Sequence, residues 1–386
     1  MSKKYPNTRK KRSKVEHLRA FLTQQAGVFR QKHAARLIAN RPYGLLLCAL
    51  LRRFDISRRQ PCPTKGKTMN EFDFIRTYLA AAERDRSVLL GIGDDAAIVR
   101  PDTDRDLCIS SDMLLAERHF FANDAPQDVA HKILAVNLSD MAAMGAVPRW
   151  VLLSAALPEL DGKWLDAFCR RFFAVCREYG VSLIGGDTTK GGLAFNITII
   201  GDVPKGKGLR RSGARAGDDI WLSGRVGSAA AGLQHILGNA ALPPALADDC
   251  RQALLHPIPR VRLGQALLDT AHAAQDVSDG LAQDLGHILQ ASSLAAEIRL
   301  ECLPVLPGLA EHLTQPMWRQ CVLAGGDDYE LLFTAAPEQR GAIERAAADA
   351  DTPVSRIGKT SEGRGLTILD DGHPVPLAVS GFDHFA

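Results

Sequence analysis

Six short motifs constrain this 386-residue chain more than any other feature: GIGDD (91–95), SSDML (110–114), NLSDMAAMG (137–145), IGGDTT (184–189), QDVSDG (275–280) and GGDDYE (325–330). Each sets aspartate beside glycine or serine where an apolar run stops. A single motif of this kind needs only a turn, since aspartate bonds to nearby backbone and glycine accepts positive φ. As a set they put Asp95, Asp112, Asp140, Asp187, Asp276 and Asp279 at or near element ends, where several can converge on one pocket.

Gathered carboxylates raise one another's pKa and oppose folding unless cations neutralise them. The motifs offer neither imidazole nor thiolate, which disfavours zinc, copper and nickel. Magnesium fits better, because it prefers oxygen, keeps waters and is held by one or two carboxylates together with substrate phosphates. The same charges argue against a dinucleotide site. GIGDDA has the G-x-G-x-x-A spacing with Asp112 further on, but Asp94 and Asp95 occupy the place of a pyrophosphate, and the following AAIVRPD is short and β-like. A P-loop fails as well, since Pro61 stands where the first glycine is required before GKT.

The apolar patterning predicts an α/β chain. A helix over 71–82 would carry Phe72, Ile75 and Leu79 on one side, followed by strands at 88–90, 96–99 and 107–110. A helix capped by Asp124, with Pro126 in its first turn, would end near Gly145 and carry Asn137 and Asp140 on one face. A strand over 150–157, a helix over 161–180 and strands at 181–187 and 194–203 complete a first series. The glycine-rich, basic segment 204–218 then leads to a second series from DDIWLSG. Two domains are expected, 69–205 and 206–386. Arg210 and Arg211 in the connecting segment could brace ATP phosphates, although a merely exposed basic loop would carry the same residues, and His119 follows the SSDML strand end.

Charge divides the chain differently. Residues 1–68 hold 18 of the 47 Lys and Arg but 2 of the 44 Asp and Glu. This basic N-terminal extension is read as disordered, or as preceding the true start at Met69, with nucleic-acid binding or organelle targeting as its alternative uses. Its apolar run GLLLCALL is too short to span a bilayer and does not follow the order of a secretory signal. Eight cysteines without a C-x-x-C pair suggest reduced thiols and a cytoplasmic protein.

Taken together, GIGDDAA, SSDML followed by RHF, NLSDMAAMGA, IGGDTT, RSGA, DVSDGL, GGDDYEL and the closing GFDHF resemble the thiamine-monophosphate kinase family, within the aminoimidazole ribonucleotide synthetase superfamily, over 69–386. The resemblance implies two α/β domains, a homodimer whose N-terminal domains pair through a β-barrel, and transfer of the ATP γ-phosphoryl group to thiamine monophosphate. It implies several Mg²⁺ ions held by Asp95, Asp112, Asp140 and Asp276, joined by Ser110, Ser111, Asp187 and Asp279. Gly186, Asp187, Arg211 and Ser278 would contact ATP; His119, Asp327 and Phe382 would line the thiamine monophosphate site. No membrane partner and no dedicated catalytic base are expected. Ser111 replaces the usual threonine, Asp327 the usual glutamate, and Phe382 a larger or hydroxylated aromatic. The competing readings are another ATP-using member of the superfamily, of aminoimidazole ribonucleotide synthetase or selenophosphate synthetase type, and a nucleic-acid-binding protein acting through the basic arm.

Overall fold

The computed structural model describes residues 69–80 and 84–376; the basic extension and Phe382 lie outside the described residues. Helix α1 (Glu71–Phe74) runs into a π-helical turn (Ile75–Leu79), where the Ala80 N–H donates to the Ile75 carbonyl, five residues back, at 2.8 Å. The sequence pattern expects a regular helix here. The wider turn instead lets Phe74 and Leu79, five apart, both enter the core.

Strands β1 (Val88–Leu90) and β2 (Ile98–Val99) pair antiparallel, so a strand follows the GIGDD turn, as its residues suggest. Next come β3 (Arg105–Leu115), α2 (Pro126–Ala143), β4 (Val147–Leu157), α3 (Gly162–Tyr179), β5 (Ser182–Lys190) and β6 (Ala194–Pro204). They build an open sheet of order β3-β6-β4-β5, antiparallel except for β4–β5. β3 is much longer than its pattern indicates. Leu107, Ile109, Met113 and Leu115 are apolar yet exposed, so the polar-out alternation that marks a half-buried strand is missing.

Helix α3 follows its sequence closely. Asp161 caps it by accepting the Lys163 N–H at 3.0 Å, Gly180 ends it at φ 67°, and Leu165, Phe168, Phe172, Val175 and Cys176 form the buried stripe. Helix α2 departs from expectation at its start. Asp124 does not cap it; its carboxylate accepts the Phe121 N–H at 2.9 Å, and Ala125 holds the cap position without a side-chain bond. Pro126 at the first turn lacks only an N–H that would have had no helical partner.

The second series contains β7 (Asp219–Ser223), α4 (Ser228–Ile236), α5 (Pro244–Leu255), α6 (Val261–Ala266), β8 (Ala273–Asp276), α7 (Leu281–Ser292), β9 (Ala295–Arg299), α8 (Leu309–His312), α9 (Gln315–Ala324), β10 (Leu331–Ala335), α10 (Arg340–Asp349), β11 (Val354–Ser361), β12 (Gly365–Asp370) and β13 (His373–Val375). Its sheet has the order β13-β12-β9-β11-β7-β10-β8, with β9–β12 its parallel pair. Every residue of β7 and β10 is buried because both faces are covered. Trp221 and Phe333, ring centroids 6.2 Å apart, share a core with Ile133 and Leu138 of α2, while Ile220, Leu222 and Leu332 face Leu285 and Ile288 of α7. Helix α2 is therefore enclosed between the two halves and buried on nearly all sides. Among its polar side chains, Asp128, His131, Lys132 and Ser139 bond to residues of the second half, and Asn137 and Asp140 bond to β3.

Candidate active site

Three polar residues of α2 tie the two sheets together. Asn137, fully buried, donates through Nδ2 to the Ile133 carbonyl at 2.9 Å and accepts the Asp112 N–H at 3.2 Å. Ser110 Oγ donates to Asp140 Oδ2 at 2.6 Å, and Ser139 Oγ donates to Asp276 Oδ2, at the end of β8, at 2.7 Å. Ser110 and Asp112 face the helix because they are two apart on β3. Ser111 faces the other way. Its hydroxyl meets Thr198 Oγ1 at 3.0 Å and the Ile197 carbonyl at 3.2 Å, so strand alternation directs that expected ligand's hydroxyl away from the aspartates.

Asp112, Asp140, Asp276 and Asp279 form one electrostatic cluster. Burial, then the charges of Asp276 and Asp279, push Asp112 up to about 6. Asp140 is likewise raised to about 6 by burial and by Asp112, against the Ser110 hydrogen bond and Arg211. Asp276 is pushed to about 7 by burial and by Asp140, with the Ser139 bond and Arg211 again opposing. Arg211 is exposed on the connecting segment, yet its charge reaches both carboxylates.

The other expected residues are more scattered. Asp95 sits in an exposed turn, its N–H on Asp94 Oδ1 at 2.9 Å, and Asp187 is exposed on β5 opposite Ser154. Gly186, at φ 147°, has a backbone reason to be glycine, since a Cβ there would collide with the Leu153 carbonyl. His119 Nδ1 accepts the Leu115 N–H at 3.0 Å and closes the turn after β3. Ser278 presents its N–H to Asp284 at 3.0 Å.

Several residues around the cluster were not singled out by sequence reasoning. Asp284 Oδ2 accepts the N–H groups of Ser278, Asp279 and Gly280 and so shapes the loop that carries Asp279. GGDDYE sends its three carboxylates in different directions. Asp327 lies 3.1 Å from Lys132 Nζ, Asp328 accepts the Gly227 N–H ahead of α4 at 3.0 Å, and Glu330 takes a bidentate bond from Arg260 at 2.7 and 2.6 Å. Positive φ at Asp327 (67°) and Tyr329 (50°) permits this divergence. The available signal for Lys132 was a lone lysine inside the apolar run VAHKILAV.

The donor set suits a hard cation. It is made of carboxylate and hydroxyl oxygens whose ionisation is opposed by burial and mutual repulsion, a penalty that a bound cation would relieve. Among the described residues no group of three or more His, Cys, Asp or Glu is already closed around a metal position, so any ion held here would draw remaining ligands from water or substrate.

The raised carboxylates also set a pH dependence. Their folded pKa values exceed the ordinary Asp value of 3.8, so the folded state binds more protons than the unfolded one at intermediate pH. Their contribution to stability is full below about pH 4 and is lost as pH rises towards 7. Without metal, melting should therefore be impaired at pH 8 relative to pH 5, and Asp276→Asn should remove on the order of 2 kcal/mol of that loss. Thermal unfolding in chelator across this range measures it; parallel wild-type and variant profiles would contradict it.

Two sequence families match the chain: AIR synthase related protein, N-terminal domain, over residues 93–203, and AIR synthase related protein, C-terminal domain, over 215–371. Thiamine-monophosphate kinase of Haemophilus influenzae is 43% identical over 325 residues, covering 82% of this chain and 98% of that relative; its Escherichia coli K12 counterpart is 43% identical over 319 residues, with the same shares. The crystal structure of thiamine-monophosphate kinase from Stenotrophomonas maltophilia K279a matches with TM-score 0.70 and 45% identity, over 75% of this chain and 93% of that one. The structure of AaThiL complexed with AMPPCP and TMP matches with TM-score 0.65 and 30% identity, over 76% of this chain and 92% of that one. With both halves matched in order and an aspartate cluster at their junction, the chain belongs to the thiamine-monophosphate kinase family of AIR synthase related proteins.

Proposed function

We propose that this protein transfers the γ-phosphoryl group of ATP to the phosphate of thiamine monophosphate, giving thiamine diphosphate and ADP. The observation that carries the reading is the convergence of Asp112, Asp140, Asp276 and Asp279, with Arg211 beside them, in a chain 43% identical to thiamine-monophosphate kinases over almost their whole length. An acceptor phosphate oxygen forms a bond to the γ-phosphorus while the bond from that phosphorus to the β–γ bridging oxygen breaks, and ADP leaves with the electron pair. The acceptor oxygen is already anionic, so no side chain has to remove a proton from it. The obstacle is repulsion between two polyanions, which makes positioning and charge neutralisation the main work of the protein. Magnesium ions, when bound, would supply that neutralisation.

The cluster aspartates, with Ser110, Ser111 through its backbone oxygen, Asp95 and Asp187, are the candidate ligands for those ions. Asp95 and Asp187 come from exposed segments, and their part depends on bound substrate bringing phosphates to them. Gly186, Ser278 and Arg211 are assigned to ATP, with Arg211 matched to phosphate by its planar fork. His119, Asp327 and Phe382 are assigned to the acceptor. The proposal takes the domains as 69–205 and 206–386, with Met69 as the start of the catalytic part, and takes the protein as cytoplasmic on its cysteine pattern. No helix among the described residues is long and apolar enough to cross a membrane.

A homodimer is part of the proposal, formed by pairing the exposed face of β3 with its copy so that strands of both N-terminal halves close into a barrel. Four large apolar side chains on one strand face support it.

Incubating the full chain with ATP, Mg²⁺ and thiamine monophosphate should yield thiamine diphosphate and ADP in equal amounts. ADP release accelerated by a different acceptor, with none for thiamine monophosphate, would transfer the assignment to another branch of the superfamily.

A further inference from the structure

Lys132 is a charge inside the molecule that the roles above leave unused. It lies on α2 with its side chain 2% exposed, and its Nζ is 3.1 Å from Asp327 Oδ2 across the junction of the two halves. The other oxygen of Asp327 accepts the Tyr329 hydroxyl at 3.3 Å. Burying an ammonium is costly even when it is paired, and methionine would fill comparable space without that cost. Asp327 and Tyr329 both sit in the left-handed backbone region, which L residues adopt at a penalty. Two unfavourable features thus serve one result, a carboxylate gripped from both sides while one third of its side chain stays open to solvent.

The location of this grip gives it meaning. Burial first, then Asp327, Asp112 and Asp276, push the Tyr329 hydroxyl well above its usual range, so it remains a donor and lies within the field of the aspartate cluster. Asp327 is one methylene shorter than the glutamate usual in the family, which leaves it little freedom to find its place through its own rotamers.

We infer that Lys132 is a positioning residue for the phosphorylated acceptor: it fixes Asp327 at the rim of the aspartate cluster and balances its charge, so that the acceptor phosphate does not meet a free carboxylate. The inference rests on the assignment of Asp327 to the acceptor site made above. A structural role alone would lower stability and disturb ATP and acceptor alike; positioning through Asp327 affects the acceptor selectively.

The test compares full-length wild type, Lys132→Met, Lys132→Arg, Asp327→Asn and the Lys132→Met/Asp327→Asn double variant, measuring KM for thiamine monophosphate and for ATP alongside melting temperature. Lys132→Met should raise the acceptor KM about tenfold while ATP KM stays within about twofold, and Lys132→Arg should restore most of the loss. Once Asp327 is Asn, adding Lys132→Met should change the acceptor KM by less than about twofold, since both substitutions break one interaction. Should Lys132→Met not fold, Lys132→Gln takes its place in the same comparison. An unchanged acceptor KM, a parallel rise in both KM values, or effects that multiply in the double variant would overturn the inference. A wild type that makes no thiamine diphosphate would instead overturn the function on which the inference is built.

Discussion

Asp140→Asn is expected to cut turnover by about 10²–10³-fold at saturating substrate, the scale associated with losing one preorganised electrostatic group from a transition state. In this site the carboxylate has no competing structural duty beyond the Ser110 hydrogen bond at 2.6 Å, and asparagine keeps an oxygen to accept it. The substitution also removes one charge from a cluster in which burial and Asp112 already oppose ionisation, so the folded state should not suffer. Activity and stability are therefore expected to move in opposite directions: turnover collapses, while melting in chelator at pH 8 is unchanged or higher. A variant of normal turnover at saturating Mg²⁺ would show that the charge at 140 is dispensable. One that unfolds would show that it holds the fold.

Much of this was legible in the sequence, because the chemistry sits at element ends where glycine, serine and aspartate advertise themselves. The residues on α2 show both the reach and the limit of that reading. Asn137 and Asp140 share a face three residues apart, and the structure gives both of them partners. Spacing along one helix could not reveal that Ser139, between them, would reach Asp276, because that bond spans 137 residues of sequence. The direction of the Ser111 hydroxyl was hidden for a local reason. Its neighbours Ser110 and Asp112 take the helix-facing positions of β3, and strand geometry then requires the intervening hydroxyl to face away. Asp124 failed because its carboxylate accepts the Phe121 N–H and Ala125 takes the cap position of the helix. Lys132 escaped notice since a lysine in an apolar helix usually extends its charge to solvent, and only the second half of the chain supplies the carboxylate that keeps this one inside.

Ile109→Glu is expected to abolish the proposed homodimer, bringing the mass seen in sedimentation from that of two chains to that of a single 41.8 kDa chain. Ile109 is 66% exposed and Met113 59%, with Leu107 and Leu115 continuing the stripe along β3. The opposite face of the same strand is packed under α2, so the exposed side is the one left for another surface. A twofold interface brings each substitution in twice, placing two carboxylates in an apolar contact where neither has a partner. That penalty falls only on association, since Ile109 buries little within one chain and its replacement leaves the monomer core untouched. Ile258, 58% exposed between α5 and α6, provides the control: Ile258→Glu adds the same charge to a loop of the other half and should leave the dimer intact. Dissociation by Ile109→Glu alone assigns the interface to this sheet face. Equal masses for the wild type and both variants would place the contact elsewhere, or leave β3 facing water.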